Sequence, residues 1–220
     1  MMFAESSPAT EIRAEGRLVP GVSPKTYRAS SAAPTTPQEA NDLLTRVERI
    51  LEQGRATDGL LEQITRFLGA NSAAWTPVNR ARLRRALAGF DGTAAVEAIV
   101  AMMQRHPRTD ILDEAELALR GLDADAAQYM QRLIGRAPGL EAGIRVRLLG
   151  AVVRLDPGGS AEPMYFALHD PEAELREAAV ALAVELELSN VRTWLQQRLD
   201  RESSATVKDA IRDALASFEG

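Results

Sequence analysis

Cysteine is absent from this chain of 220 residues. Its absence excludes disulfide bonds, zinc sites and iron–sulfur clusters held by thiolates, and catalysis by a thiol nucleophile. Aromatic residues make up only 5% of the chain, a composition that disfavours a fold rich in β-sheet. The sequence also lacks a run of 18 or more apolar residues and an apolar segment behind a basic N-terminus. We therefore expect a helical, soluble, cytoplasmic protein that does not insert into a membrane.

Acidic residues outnumber basic ones, and the net charge of the chain is −5. Residues 1–36 carry a net charge of +1, so the rest of the chain carries −6. A general nucleic-acid groove depends on concentrated lysine and arginine. The charge balance therefore disfavours a nucleic-acid partner.

Sequence motifs of common enzymes are missing as well. The chain has no phosphate-binding loop, dinucleotide fingerprint, paired-histidine metal helix or nucleophile elbow. Its two histidines, His106 and His169, lie at predicted helix ends, where a structural role is sufficient to explain them. We expect no catalytic residue, no metal site and no cofactor.

The segment 170–186 (DPEAELREAAVALAVEL) has the features of one amphipathic helix. Asp170 is placed to cap the helix, and Pro171 to occupy its first turn. An apolar stripe recurs at helical spacing, whereas Arg176 and most of the acidic residues fall outside it. The stripe consists of Leu175, Ala179, Leu182, Ala183 and Leu186. The segment therefore predicts a helix with one buried face and one charged face.

The same pattern occurs five times, at intervals of 31 to 33 residues. The five windows are 79–90, 111–122, 144–155, 175–186 and 207–218. A further amphipathic segment precedes each window, at 60–68, 94–105, 124–136, 161–169 and 190–200. Each unit is predicted to be a helical hairpin that cannot bury its apolar stripe without its neighbours, so the units are expected to stack.

Residues 1–36 show no such periodicity and are rich in Ser, Thr, Ala and Pro, so we expect a flexible tail. Within this tail, residues 17–28 (RLVPGVSPKTYR) are either an extended docking peptide or an ordinary linker. The docking residues would be Leu18, Val19, Val22 and Tyr27. Thr36 and Glu39 form a capping box that begins an N-terminal capping helix. We thus divide the chain into a tail, 1–36, and a repeat domain, 37–220.

The unit at 170–186 resembles a HEAT repeat. The resemblance rests on an acidic residue that opens the second helix and a basic residue six positions later. These pairs are Asp170 with Arg176 and Glu202 with Lys208, and Leu112 interrupts the pattern. The unit is most similar to the short bacterial HEAT-like repeats first associated with phycobilisome lyases. The resemblance implies an all-α fold, an α-solenoid of about five hairpins whose second helices line a concave surface, and it implies no chemistry.

Charges on the second helices alternate in sign from one helix to the next. The most concentrated group is basic and consists of Arg80, Arg82, Arg84 and Arg85. Two interpretations stay open for this cluster. It is either one rung of a ladder of charges between stacked layers, or a binding patch for an acidic partner or a phosphate.

The favoured functional hypothesis is a non-enzymatic adaptor or scaffold that binds a protein partner on the concave face. Exposed residues expected to contact the partner are Arg80, Arg84, Glu116, Arg145, Arg176, Lys208 and Arg212. One alternative, suggested by the family resemblance, is a chromophore chaperone or enzyme like the bilin lyases. The other is a nucleic-acid module resembling the HEAT-like DNA glycosylases, which would use the arginine cluster.

Large side chains of the first helices are expected in the core. They are Met102, Met103, Tyr129, Met130, Met164, Tyr165, Phe166 and Trp194. Trp75 is interpreted as a loop anchor that packs on the first repeat.

Overall fold

A computed structural model of the chain describes residues 33–70, 74–136 and 139–218, all within a compact unit that runs from Ser31 to Gly220. These residues form eleven α-helices and no strand, so the predicted all-α class is confirmed. The helices are α1 (Pro37–Glu52), α2 (Asp58–Leu68), α3 (Pro77–Leu87), α4 (Gly92–Arg105), α5 (Thr109–Leu119), α6 (Ala124–Arg136), α7 (Ala142–Leu155), α8 (Ala161–Leu168), α9 (Ala173–Glu185), α10 (Arg192–Arg201) and α11 (Ala205–Ser217). A single 3-10 turn, Ser189–Val191, precedes α10.

Hydrogen bonds at its N-terminus explain where helix α1 begins. The hydroxyl of Thr36 accepts a hydrogen bond from the backbone N–H of Glu39 at 3.2 Å, and the Glu39 carboxylate accepts from the N–H of Thr36 at 3.3 Å. The predicted capping box is therefore confirmed. Hydrogen bonds from the backbone and side chain of Thr35 lower the pKa of Glu39.

The helices pack in two rows. Along the odd row, α1 contacts α3, α3 contacts α5, α5 contacts α7, α7 contacts α9 and α9 contacts α11. Along the even row, α2 contacts α4, α4 contacts α6, α6 contacts α8 and α8 contacts α10. Between the rows, each even helix contacts the odd helix that follows it in the chain. Most contacts therefore join helices that are close in sequence.

The predicted apolar columns of the odd row are buried. Helices α3, α5, α7, α9 and α11 begin at intervals of 31 to 33 residues. Two columns of buried residues recur in all five helices: Leu83, Ala115, Leu148, Ala179 and Ile211, and Ala86, Ala118, Ala151, Leu182 and Ala214. Alanines let neighbouring helices approach closely, and the branched side chains fill the remaining space.

Asn79 is the polar member of a third column that is apolar in the other helices. Its side-chain amide donates hydrogen bonds to the carbonyls of Pro37 and Ala74, both at 3.3 Å. It therefore fixes the start of α1 against the loop before α3. Trp75 in that loop is buried beside the ring of Phe67, with centroids 5.9 Å apart, which confirms that it anchors the loop.

Two local predictions are wrong. Helix α9 begins at Ala173 with Glu172 as its N-cap, so Asp170 does not cap the helix and Pro171 lies before it rather than in its first turn. Asp170 instead accepts a hydrogen bond from the N–H of Glu172 at 2.9 Å and closes the preceding turn. Tyr165 and Phe166 are each 43% exposed, because the short helix α8 turns its other face to the core. The methionines expected in the core are buried there.

The predicted tail docking residues, Leu18, Val19, Val22 and Tyr27, lie outside the described residues. Among the helices that the structure describes, none combines the length and apolar character needed to cross a membrane.

We predict that Leu148→Ala destabilises the protein by about 2 to 5 kcal/mol, because Leu148 is fully buried and truncation leaves a cavity. The matched control is Leu117→Ala on α5, since Leu117 is 45% exposed, and it should change stability by about 0.5 kcal/mol or less. Urea unfolding followed by far-UV circular dichroism measures both. Equal effects of the two variants would contradict the buried odd row.

Candidate protein-binding face

The residues predicted to bind a partner all lie on α3, α5, α7, α9 and α11. We call the solvent-facing side of these five helices the odd-row face. Most of the predicted residues are engaged in ion pairs with neighbouring helices or loops, so their partners determine what part of this face stays accessible.

The arginine cluster of α3 pairs in two directions. Arg84 forms a hydrogen-bonded ion pair with Glu114 of α5, and Arg80 Nη1 lies farther away, 3.9 Å from Glu114 Oε2. Arg82 instead donates from Nε to the Glu48 carboxylate of α1 at 2.9 Å. That hydrogen bond lowers the pKa of Glu48 and raises that of Arg82. Three of the four clustered arginines therefore join helices, as the ladder interpretation predicts.

Glu116 of α5 is buried, so the expectation that it is exposed is wrong. Its carboxylate accepts hydrogen bonds from Arg147 at 3.1 Å and from Arg154 at 3.3 Å, both on α7, and pairs with Arg120 of its own helix. A Cβ at Gly150 would lie 2.6 Å from the carboxylate, so only glycine leaves room for it there. Three cations compensate the cost of burying this charge.

The same arginines continue the ladder along the odd row. Arg147 Nη2 lies 2.7 Å from the Asp113 carboxylate of α5. Arg154 Nε donates to the Glu185 carboxylate of α9 at 3.2 Å. Paired charges therefore run from α5 through α7 to α9.

Two further ion pairs join α7 and α9 to the loop before the next odd helix. Arg145 of α7 pairs with Asp170, and both side chains are almost buried. Arg176 of α9 donates to Glu202 from Nε at 2.8 Å and from Nη2 at 2.7 Å. Arg176 is only 4% exposed, so the expectation of an exposed Arg176 is wrong as well.

The Glu202 carboxylate accepts hydrogen bonds from α9, from α10 and from the backbone just before α11. Besides Arg176, it accepts from Arg198 Nε of α10 at 2.9 Å and from the backbone N–H groups of Ser203 and Ser204 at 2.8 Å. The hydrogen bond from Arg176 has the largest effect on the carboxylate, and together with those from Ser204 and Arg198 it outweighs desolvation and lowers the pKa of Glu202 to about 2. The carboxylate thereby ties α9, α10 and the start of α11 together.

Two of the predicted contact residues remain on the surface of α11. Lys208 is half-buried, and Arg212 is exposed and pairs with Asp209 one turn earlier at 2.7 Å. Arg80 and Arg84 also keep part of their side chains accessible. A partner-binding role for these four residues stays a prediction.

A shallow groove of about 440 Å³ lies between α9 and α11. Its floor is apolar, and its edges are acidic. The floor consists of Val180, Ala181, Val184, Ala210 and Ala214, and the edges carry Glu177, Glu185 and Asp213. Val184 is 37% exposed on this floor. The groove is therefore an apolar opening on the odd-row face.

No protein-family model, curated protein or solved structure significantly matches the chain. The site must therefore be judged on its own contacts. In the part of the chain that the structure describes, histidine and acidic side chains form no group of three or more suited to holding a metal ion.

The groove residues were not identified from the sequence. A signal was present, because residues 178–184 of α9 read AAVALAV and are apolar at every position. A helix that is apolar on all sides must either be fully buried or expose apolar surface. In α9, the side chains of Ala181 and Val184 are the ones left exposed.

We predict that Glu202→Gln destabilises the protein by about 3 kcal/mol at neutral pH, since the pKa of Glu202 is lowered from 4.5 to about 2 on folding. A carboxylate with a lowered folded pKa stabilises fully above its unfolded pKa, and this contribution is lost as the pH falls through the folded pKa. The difference between wild type and variant should therefore shrink from about pH 5 towards pH 2. Urea unfolding at a series of pH values measures it.

The control variant is Glu177→Gln, because Glu177 is an exposed carboxylate on α9. It should change the free energy of unfolding by about 0.5 kcal/mol or less. A wild-type to Glu202→Gln difference that stays constant with pH would contradict the assigned pKa.

Proposed function

We propose that this chain is a non-enzymatic scaffold that binds a protein partner through the odd-row face. In this proposal α2 to α11 form five HEAT-like hairpins of an α-solenoid, with α1 as the N-terminal cap and the odd helices on the concave side. The two-row packing supports the arrangement, because each helix of these hairpins contacts its neighbours in its own row and the adjacent helix of the other row, as stacked hairpins do.

The observation that carries the proposal is the apolar groove between α9 and α11. Over α3, α5 and α7, many of the charged side chains are instead engaged in ion pairs between helices. Exposed apolar surface is costly to leave in water, and a partner that covers the groove would remove this cost. Val78 of α3 and Leu117 of α5 are further exposed apolar side chains on the same row of helices.

The ion-pair network favours a rigid scaffold for such a surface. Buried pairs such as Arg176 with Glu202 hold successive helices in register. A binding surface whose helices are fixed in this way loses little conformational entropy when a partner docks. The position of the odd-row face is thus set before the partner arrives.

The experiment begins with a photo-crosslinking amino acid at Ala181 in the groove. The matched control position is Ala124, an exposed alanine at the start of α6 in the even row. The protein crosslinked from Ala181 but not from Ala124 is identified, purified and titrated against the wild-type chain by calorimetry. The partner should be recovered with unchanged mass, as expected for binding without a reaction.

We expect Val184→Glu to weaken this purified interaction by about tenfold or more, because the new carboxylate would be buried against apolar surface in the complex. Tyr165→Glu, at an equally exposed position on α8, should leave the affinity within about twofold. Equal crosslinking from both alanines, or full affinity of the Val184→Glu variant, would overturn the proposal.

A further inference from the structure

We propose that the groove between α9 and α11 binds a cationic amphipathic helix of the partner. This inference rests on the proposed function and adds the chemistry of the bound segment. Three observations carry it: the charge at the edges of the groove, the size of the residues on its floor, and a change in the charge ladder where the groove opens.

Two of the three acidic residues at the edges of the groove have no counter-charge within the part of the chain that the structure describes. Glu185 is paired with Arg154 of α7. Among the described residues, Glu177 and Asp213 are both exposed and neither forms an ion pair. The cations of α11, Lys208 and Arg212, do not line the groove. Two carboxylates on opposite sides therefore remain available to lysine or arginine side chains of a bound segment.

The floor of the groove fits a helix. Ala181 on one side and Ala210 and Ala214 on the other leave space for a second backbone to approach closely. The α9 side of the groove runs from Glu177 to Glu185, a length of about 12 Å at 1.5 Å per residue. About two turns of a bound helix match that length, with apolar anchors at i, i+3 or i+4, and i+7.

One position of the odd-row helices that carries a charge on α3, α5 and α7 carries none on α9 and α11, beside the groove. Arg82, Glu114 and Arg147 hold equivalent positions on α3, α5 and α7, and each forms an ion pair with a neighbouring helix. The same position is alanine on the next two helices, at Ala178 and Ala210. The cross-helix charges are thus replaced by small apolar side chains beside the groove.

The bound segment therefore has an apolar face and basic flanks. Its apolar face covers Val184 and the alanines, while its basic side chains reach Glu177 and Asp213. Electrostatic attraction of exposed charges is screened by salt, so the affinity should fall as ionic strength rises.

The test uses three synthetic helical peptides that share one leucine and alanine face and differ only at the flanking positions. These positions carry lysine, glutamine or glutamate. Fluorescence anisotropy measures the binding of each peptide to the full chain. We expect the lysine peptide to bind about tenfold or more tightly than the glutamate peptide at low salt.

The double variant Glu177→Lys and Asp213→Lys should reverse this preference. Asp200→Lys is the matched control, since Asp200 is an exposed carboxylate on α10 outside the groove, and it should leave the preference unchanged. No binding of the lysine peptide, or the same preference in the double variant as in wild type, would overturn the inference.

Binding measurements with the natural partner distinguish a failure of this inference from a failure of the proposed function. If Val184→Glu abolishes partner binding but the double charge reversal does not weaken it, the groove is a binding surface and the cationic helix is wrong. If neither variant affects partner binding, the proposed function fails as well.

Discussion

The structure depends on buried ion pairs that join two odd-row helices, α7 and α9, to the loop before the next odd helix. Arg176 and Glu202 form the most buried of these pairs, and Arg145 with Asp170 occupies the equivalent place one unit earlier. Where Leu112 replaces the arginine, Gly139 stands at the loop position of Asp170, so both partners of the pair are missing together. Burying a charged pair is costly unless both partners are present and fully hydrogen-bonded, which explains this correspondence.

These pairs and the charge ladder divide the odd-row face into two kinds of surface. Over α3, α5 and α7, the charges are used between helices, so little of this surface is left for a partner. Between α9 and α11, alanines replace the ladder charges, and the groove has an apolar floor with carboxylates at Glu177 and Asp213 that form no ion pair among the described residues. The same feature that weakens cross-helix pairing there creates the candidate binding surface.

The sequence predicts the helices and their buried columns well, because a stripe at helical spacing directly encodes the face that must leave water. It does not predict the ion pairs correctly. The sequence relates Asp170 to Arg176 within one unit, whereas the carboxylate of Asp170 pairs with Arg145, from the preceding unit. Glu116 was expected on the surface, but arginines from a helix about thirty residues away make its burial possible. No local sequence pattern reveals such partners. The groove likewise depends on how α9 and α11 pack against each other, which the sequence does not reveal. The all-apolar stretch of α9 indicates only that some apolar surface stays exposed.

A double-mutant cycle on Arg176 and Glu202 is the most direct test that the buried pairs couple successive units. Arg176→Gln, Glu202→Gln and the double variant are unfolded in urea, and the coupling free energy is taken from the four stabilities. We predict a coupling of about 2 kcal/mol or more, because each single variant leaves a buried polar partner unpaired. The exposed pair of Arg212 and Asp209 serves as the control and should couple by about 0.5 kcal/mol or less. Additive effects of Arg176→Gln and Glu202→Gln would contradict the claim that this pair holds α9 to the following unit.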